Sequence, residues 1–205
     1  MTDKPFIIGC DEVGYGAWAG PLVVVGVRAP KDWALDGLND SKKLTAKRRE
    51  VMSAKLEKLI ASGDIAWALA QRENTVIDEI GLGVALKDAY VEIFKQLYRD
   101  DCLIISDGNL KFDNPAVNAY DKMSVVKADS KYTQVMAASI LAKVYRDTKM
   151  KALAKQYPDY GWDHNVGYHS DDHVEGLEKY GPCPLHRFSY KKIKELVARK
   201  QLSIF

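Results

Sequence analysis

The stretch FIIGCDEVGYGAWAGPLVVVGVRA, residues 6–29, decides the fold class. Its two ends, Phe6 to Cys10 and Pro21 to Ala29, are short, β-branched and almost continuously apolar, the pattern of buried strands. Between them stand two adjacent acids, Asp11 and Glu12, and a loop containing Gly14, Gly16 and Gly20. The link is short enough for a hairpin, so the two strands are expected to pair antiparallel. A phosphate cradle, a metal site and a plain tight turn all fit these residues taken alone. A dinucleotide loop fits poorly, because the spacing is G-x-G-x-x-x-G and a strand follows where a phosphate-binding helix should begin.

Working outward, DIAWALAQ (64–71) is a third strand candidate that extends the antiparallel set, and CLIIS (102–106) and MSVVKA (123–128) are a fourth and fifth. Helices are expected at 45–61, with Thr45 as N-cap, and at 84–98, where Val84, Tyr90, Val91, Phe94 and Leu97 form an apolar stripe. A long Ala-rich helix is expected from Thr133 to Gln156, with Met136, Ile140 and Val144 on one face, and shorter ones near 171–179 and 190–200. Three strands followed by alternating helices and strands predict a mixed α/β sheet and argue against a doubly wound one.

The 205 residues, 47% hydrophobic and 28% charged, suit one globular domain. The expected division is a core over about residues 1–157 and a helical C-terminal part over about 158–200. The start lacks a charged segment followed by an apolar one, and no apolar run reaches membrane length, so a cytoplasmic protein with no membrane partner is expected. Cys10, Cys102 and Cys183 are too few and too widely spaced for a disulfide framework or a zinc site and are read as reduced. The net charge of +2 is small, but residues 122–155 hold eight Lys or Arg against two Asp, and residues 187–200 hold six against one Glu. Such local excess suits a phosphate backbone; solvated helix faces show it equally often.

Four acids fall at or just beyond strand ends: Asp11 and Glu12 after the first, Asp107 after the fourth and Asp129 after the fifth. Several carboxylates converging there would be unfavourable unless cations filled the space, and hard oxygen ligands of this kind suit Mg²⁺ or Mn²⁺. Two such ions could activate water and stabilise the leaving oxygen of a phosphodiester. The competing explanation is that acids after strands form turns and cap helices. Neighbouring residues of a regular strand point to opposite faces, so Asp11 and Glu12 share a site only if the strand twists or ends between them.

Five segments together resemble the ribonuclease HII family: GCDEVGYGAWAGP (9–21), NDSKKL (39–44), SDGN (106–109), KADSKYTQVMAASILAKVYRD (127–147) and GYHSDDHVEGLEKYGPCPLHRFSY (167–190). They occur in the family's order and are spread over most of the chain, from residue 9 to residue 190. The resemblance implies a ribonuclease H-like fold, a five-stranded mixed sheet flanked by helices with a short helical C-terminal segment. It implies endonucleolytic cleavage of the RNA strand of RNA/DNA hybrids and incision 5′ to ribonucleotides embedded in duplex DNA, with 3′-hydroxyl and 5′-phosphate ends. By motif match, Asp11, Glu12, Asp107 and Asp129 take the places of the family's catalytic metal-binding acids, for two Mg²⁺ or Mn²⁺ ions. A monomer is expected.

The same resemblance places Gly14, Tyr15 and Gly16 at the loop that contacts the ribose 2′-hydroxyl and nearby phosphates, where the family carries Gly-Arg-Gly. Backbone contacts need only close approach, whereas Tyr15 cannot supply a guanidinium. Tyr168 matches the tyrosine that packs on the deoxyribose following the ribonucleotide, and His169 departs from the glycine usual after it. Ser41, Lys42, Lys43 and Arg187 match positions near the nucleic acid, where phosphate contacts would position the duplex. The loop is also similar to that of ribonuclease HIII, which acts on hybrids but poorly on single ribonucleotides; SDGN and the Tyr168 segment favour HII. A non-catalytic nucleic-acid-binding module would explain the basic stretches but leave the four acids without a role. The last residues, Gln201, Leu202, Ser203, Ile204 and Phe205, resemble the peptide that binds bacterial DNA sliding clamps, the alternative being a helix end folded back on the core.

Overall fold

The computed structural model describes residues 4–39, 41 and 43–202, with side chains up to residue 199. Five strands form one mixed sheet in the order β3-β2-β1-β4-β5. β1 (Phe6–Val13) pairs antiparallel with β2 (Leu22–Pro30), Asp11 opposite Val25 and Glu12 opposite Val24. It pairs parallel with β4 (Cys102–Asp107), Cys10 opposite Ser106. β5 (Lys122–Val125) runs parallel beside β4, and β3 (Ala66–Arg72) takes the edge beside β2. The fold class expected from sequence, a mixed five-stranded sheet with flanking helices, is the one observed.

The helices follow their local signals. α1 (Ala46–Ser62) starts where Thr45 accepts from the Arg48 N–H, and ends at Gly63, whose φ of 82° lets its own N–H reach back to Ile60 O. α3 (Leu82–Leu97) and α4 (Thr133–Ala154) lie where their apolar periodicity put them. α2 (Asn74–Ile80) does not appear in the sequence reading, because Glu73 at its N-cap makes no side-chain capping bond and its seven residues are too few for a clear period.

The chain forms two compact units. The first comprises Met1–Val13, Val23–Gln71 and Lys87–Val144. Here Val23, Val25, Val27 and Ala29 of β2 pack with Met52 and Leu56 of α1 and with Ala137, Ala138, Ile140 and Leu141 of α4. Fully buried Leu56 and Ile140 contribute roughly 2 kcal/mol each. Gly9 lets α4 approach β1, since a Cβ there would run into the Gln134–Val135 backbone. Cys10 and Gly26 face the other way, toward Ile93 and Leu97 of α3.

The second unit comprises Gly14–Leu22, Arg72–Leu86 and Tyr145–Phe205. It contains α5 (Trp162–Asn165), α6 (Asp171–Tyr180) and α7 (Lys191–Leu202). Its core gathers Met150, Tyr160, Trp162, Leu177 and Ile193. α2 ties into it: Asn74 donates to Pro184 O and His186 O, and Asp78 accepts from the Phe188 and Ser189 N–H groups. All three cysteines are buried and free. Among the described residues no helix is long and apolar enough to cross a membrane.

Candidate functional site

Because β1, β4 and β5 run parallel, their C-terminal ends meet one edge of the sheet, and the first unit carries its acids there. Asp11, only 8% exposed, accepts from the Glu12 N–H at 2.9 Å. It also takes a hydrogen bond from the Ser139 side chain on α4, and Ser139 Oγ lies 2.8 Å from Ser41 Oγ. Glu12 accepts from the Tyr90 hydroxyl on α3. Asp107 accepts from the Ala128 N–H at 2.7 Å, and Asp129 is buried in the short 3-10 turn Ala128–Ser130. That turn follows Lys127, which takes a left-handed φ of 58°.

Burial pushes the Asp11 carboxyl up to about 7. The neighbouring charges of Glu12 and Asp107 push the same way, while the bonds from Ser139 and the Glu12 N–H work against them. A cation would relieve this stress, and the donor set of carboxylate oxygens is the one that Mg²⁺ and Mn²⁺ prefer. β1 runs on to Val13 and does not end between the two acids. Asp11 is bonded from α4 and Glu12 from α3, so the two carboxylates leave opposite faces of the strand. In keeping with that alternation, no three His, Cys, Asp or Glu side chains among the described residues stand ready around one point.

The glycine loop lies in the second unit. Gly14 has φ 89°, and a Cβ there would strike Arg146 Nε and come within 2.6 Å of Pro21 O. Its N–H donates to the Tyr168 hydroxyl at 2.9 Å. A Cβ at Gly16 would meet nothing within 4 Å, so internal packing does not ask for glycine there. Tyr15 turns its side chain outward, 47% exposed, while its carbonyl accepts from Arg187 Nη1 at 3.0 Å and from the Tyr190 hydroxyl at 2.8 Å.

Arg187 is therefore not the surface phosphate contact expected from sequence. It is fully buried, and its Nε and Nη2 both donate to Gly20 O at 3.1 Å, so it braces the loop from within. Ser41 is buried as well, held by Ser139, whereas Lys43 is exposed. Lys42, Ser203, Ile204 and Phe205 lie outside the described residues, and Gln201 and Leu202 contribute backbone to the end of α7.

Five further residues matter. Tyr90 and Ser139 fix the two adjacent acids. Arg146, fully buried, donates to Pro21 O, Val166 O and Ala19 O at 2.8–3.0 Å, and burial lowers its pKa to about 10. His173 and His186 form a buried pair. Arg146 carried a readable signal, a lone guanidinium inside an Ala-rich helix, which requires partners when buried. Ser139 and the histidines carried none.

Compared with known proteins, the family profile of ribonuclease HII matches residues 8–193. The chain belongs to the ribonuclease HII family. Ribonuclease HII of Lactobacillus delbrueckii subsp. bulgaricus is 39% identical over 194 residues, spanning 94% of this chain and 72% of that one. Among solved structures, ribonuclease H2 from Pyrococcus horikoshii OT3 superposes with a TM-score of 0.78 at 25% identity, covering 96% of this chain and 99% of the other. The ribonuclease HII of a PCNA complex from Archaeoglobus fulgidus gives 0.74 at 28% identity over 91% and 95%. With ribonuclease HII membership comes the ribonuclease H-like fold and the activity class, an endonucleolytic hydrolase of the ribonuclease H type.

Proposed function

We propose that this member of the ribonuclease HII family cleaves the RNA strand of RNA/DNA hybrids and incises on the 5′ side of ribonucleotides embedded in duplex DNA, as the opening step of ribonucleotide removal. The observation that carries this is geometric: parallel β1, β4 and β5 bring their C-terminal ends to one edge of the sheet, where Asp11 is buried and Asp107 ends β4. Asp11, Glu12, Asp107 and Asp129 would hold two divalent cations, Mg²⁺ or Mn²⁺. Such ions supply activation of the attacking water and stabilisation of the leaving 3′ oxygen, which accounts for 3′-hydroxyl and 5′-phosphate ends.

The chain's own groups do the rest. Ser139 and Tyr90 aim the two adjacent carboxylates. The open side of Gly16 admits a sugar to within backbone distance, and Tyr168 offers its ring to the deoxyribose that follows the ribonucleotide. Exposed Lys43, with Lys42 beside it in sequence, positions phosphate without reading bases. Arg146 and Arg187 keep the loop's carbonyls fixed. The C-terminal QLSIF would engage a DNA sliding clamp, the kind of partner with which the Archaeoglobus relative was solved.

Tyr15 favours a second reading, a hybrid-only nuclease of the ribonuclease HIII kind, because it stands where the resemblance implies an arginine. A cleavage assay on two labelled substrates separates the two: a DNA duplex with one ribonucleotide, and a uniform hybrid. Robust incision of the first supports the proposal, and cleavage of the hybrid alone supports the alternative.

A further inference from the structure

The second unit contains a hydrogen-bonded chain of neutral groups whose every proton can be placed. Trp162 Nε1 lies 3.3 Å from His173 Nε2, and an indole N–H only donates, so His173 Nε2 accepts. The proton of His173 is then on Nδ1, which donates to the backbone carbonyl of Tyr168 at 2.8 Å. His186 Nε2 stands 3.0 Å from the same His173 Nε2 and must therefore carry a hydrogen. That leaves His186 Nδ1 as the acceptor of the Cys183 N–H at 2.9 Å. The other option, His186 Nδ1 donating to Cys183 O at 3.2 Å, would set two lone pairs against each other between the rings.

Both imidazoles are fully buried. Burial lowers the pKa of His173, and burial together with His173 takes His186 down to about 3, so the pair stays neutral. A proton added to either ring would turn an acceptor of the chain into a donor facing another donor.

The backbone at which the chain ends has a reason to need a tether. Val166 adopts φ 46°, a rare conformation for a β-branched residue, and Gly167 follows at φ 85°. Arg146 Nη1 holds Val166 O at 2.8 Å, Asn165 accepts from the Gly167 N–H at 2.9 Å, and the Trp18 and Ala19 N–H groups reach Gly167 O. The turn delivers Tyr168, whose hydroxyl accepts from the Gly14 N–H.

We propose that His173, backed by His186, is a positioning residue for substrate discrimination: its Nδ1–H pins the Tyr168 carbonyl and so sets where the Tyr168 ring meets the sugar. This rests on the sugar-reading role of Tyr168 proposed above. Two substitutions split the imidazole's two edges. His173→Asn places an amide where Nδ1 stands and keeps a donor for Tyr168 O. His173→Gln reaches the Nε2 position, keeps an acceptor for His186 and Trp162, and abandons Tyr168.

The test measures kcat/KM of the full-length protein on a single-ribonucleotide duplex and on a uniform hybrid, for wild type, both His173 variants and Tyr168→Ala, with thermal unfolding in parallel. The expected result is a ratio of the two activities within about twofold of wild type for His173→Asn and reduced roughly tenfold for His173→Gln and Tyr168→Ala. Equal ratios in both His173 variants, whether lowered or not, while Tyr168→Ala shifts, would overturn the positioning role. An unchanged ratio in Tyr168→Ala would sink the sugar-reading role itself, and the inference built on it. Should a His173 variant fail to fold, ¹⁵N imidazole spectra of the wild type decide: His173 protonated on Nδ1 and His186 on Nε2 near neutral pH is required, and any other pair of tautomers refutes the chain.

Discussion

Arg187 Nη1 donates to the Tyr15 carbonyl, 172 residues away in sequence, while the Tyr15 side chain points outward and takes no part in that bond. The loop's shape is thus set through its backbone, and the identity of the residue at position 15 is left free for the substrate. Arg187→Lys is expected to destabilise the protein by about 2 kcal/mol in denaturant unfolding, because one ammonium cannot serve Gly20 O, Tyr15 O and the Tyr190 hydroxyl together. Tyr15→Arg should leave stability within about 0.5 kcal/mol and steepen the salt dependence of duplex binding by about one phosphate contact.

Gly14→Ala and Gly16→Ala should part company. The first forces a Cβ onto a left-handed backbone, roughly 1–2 kcal/mol by itself, and into Arg146 and Pro21, so a lowered melting temperature is expected. The second meets open space and should melt like wild type, yet lose incision of a single-ribonucleotide duplex if the proposed sugar approaches there, since a methyl group would stand in its way. Wild-type activity in Gly16→Ala would show that nothing approaches there.

On the proposed assignment, a cation binding at Asp11, whose carboxyl burial pushes up to about 7, releases a proton at pH values below that. Calorimetric titration with Mg²⁺ in buffers of different ionisation enthalpy should reveal that release, and affinity should climb with pH up to about 7 and then level off. Ser139→Ala removes a hydrogen bond that favours the carboxylate, so the plateau should move to higher pH. Buffer-independent heats would contradict the protonation of Asp11.

His186 has the opposite linkage to stability. Its pKa falls from an ordinary 6.5 to about 3 on folding, because of burial and then of His173, so between those values the unfolded chain binds a proton that the folded chain refuses. Its contribution is intact above pH 6.5 and is lost as pH falls toward 3, at up to about 1.4 kcal/mol per pH unit. Asp11 opposes it: a raised carboxyl pKa makes the folded state the better proton binder from about 3.8 to 7, favouring folding at the acid end. Urea unfolding of the metal-free protein should therefore show a steeper acid loss in Asp11→Asn than in wild type.

Much of this was legible in the residues. The nearly continuous apolar run of PLVVVGVRA and the acids after FIIGC and CLIIS marked the strands and their carboxylate ends, and Thr45 and Gly63 marked the limits of α1. What escaped depends on tertiary partners. Arg187 looks like any basic residue near a nucleic-acid face until Gly20 O and Tyr15 O are seen to claim it. The α2 helix is held by Asn74 and Asp78 bonding to a segment more than a hundred residues distant, which no local pattern encodes. The opposite facing of Asp11 and Glu12 follows from strand geometry alone; the partners Ser139 and Tyr90 do not.

The acids at the strand ends are the centre of the account, and Asp107→Asn tests them most directly. Asparagine keeps an oxygen acceptor for the Ala128 N–H, so the turn beyond β5 should persist and the melting temperature should stay near wild type. Cleavage of a uniformly labelled RNA/DNA hybrid in Mg²⁺ should then fall by roughly a thousandfold or more, the scale of losing one charge that stabilises the transition state. A folded Asp107→Asn protein that cleaves the hybrid at the wild-type rate would contradict the assignment of these carboxylates as the catalytic centre.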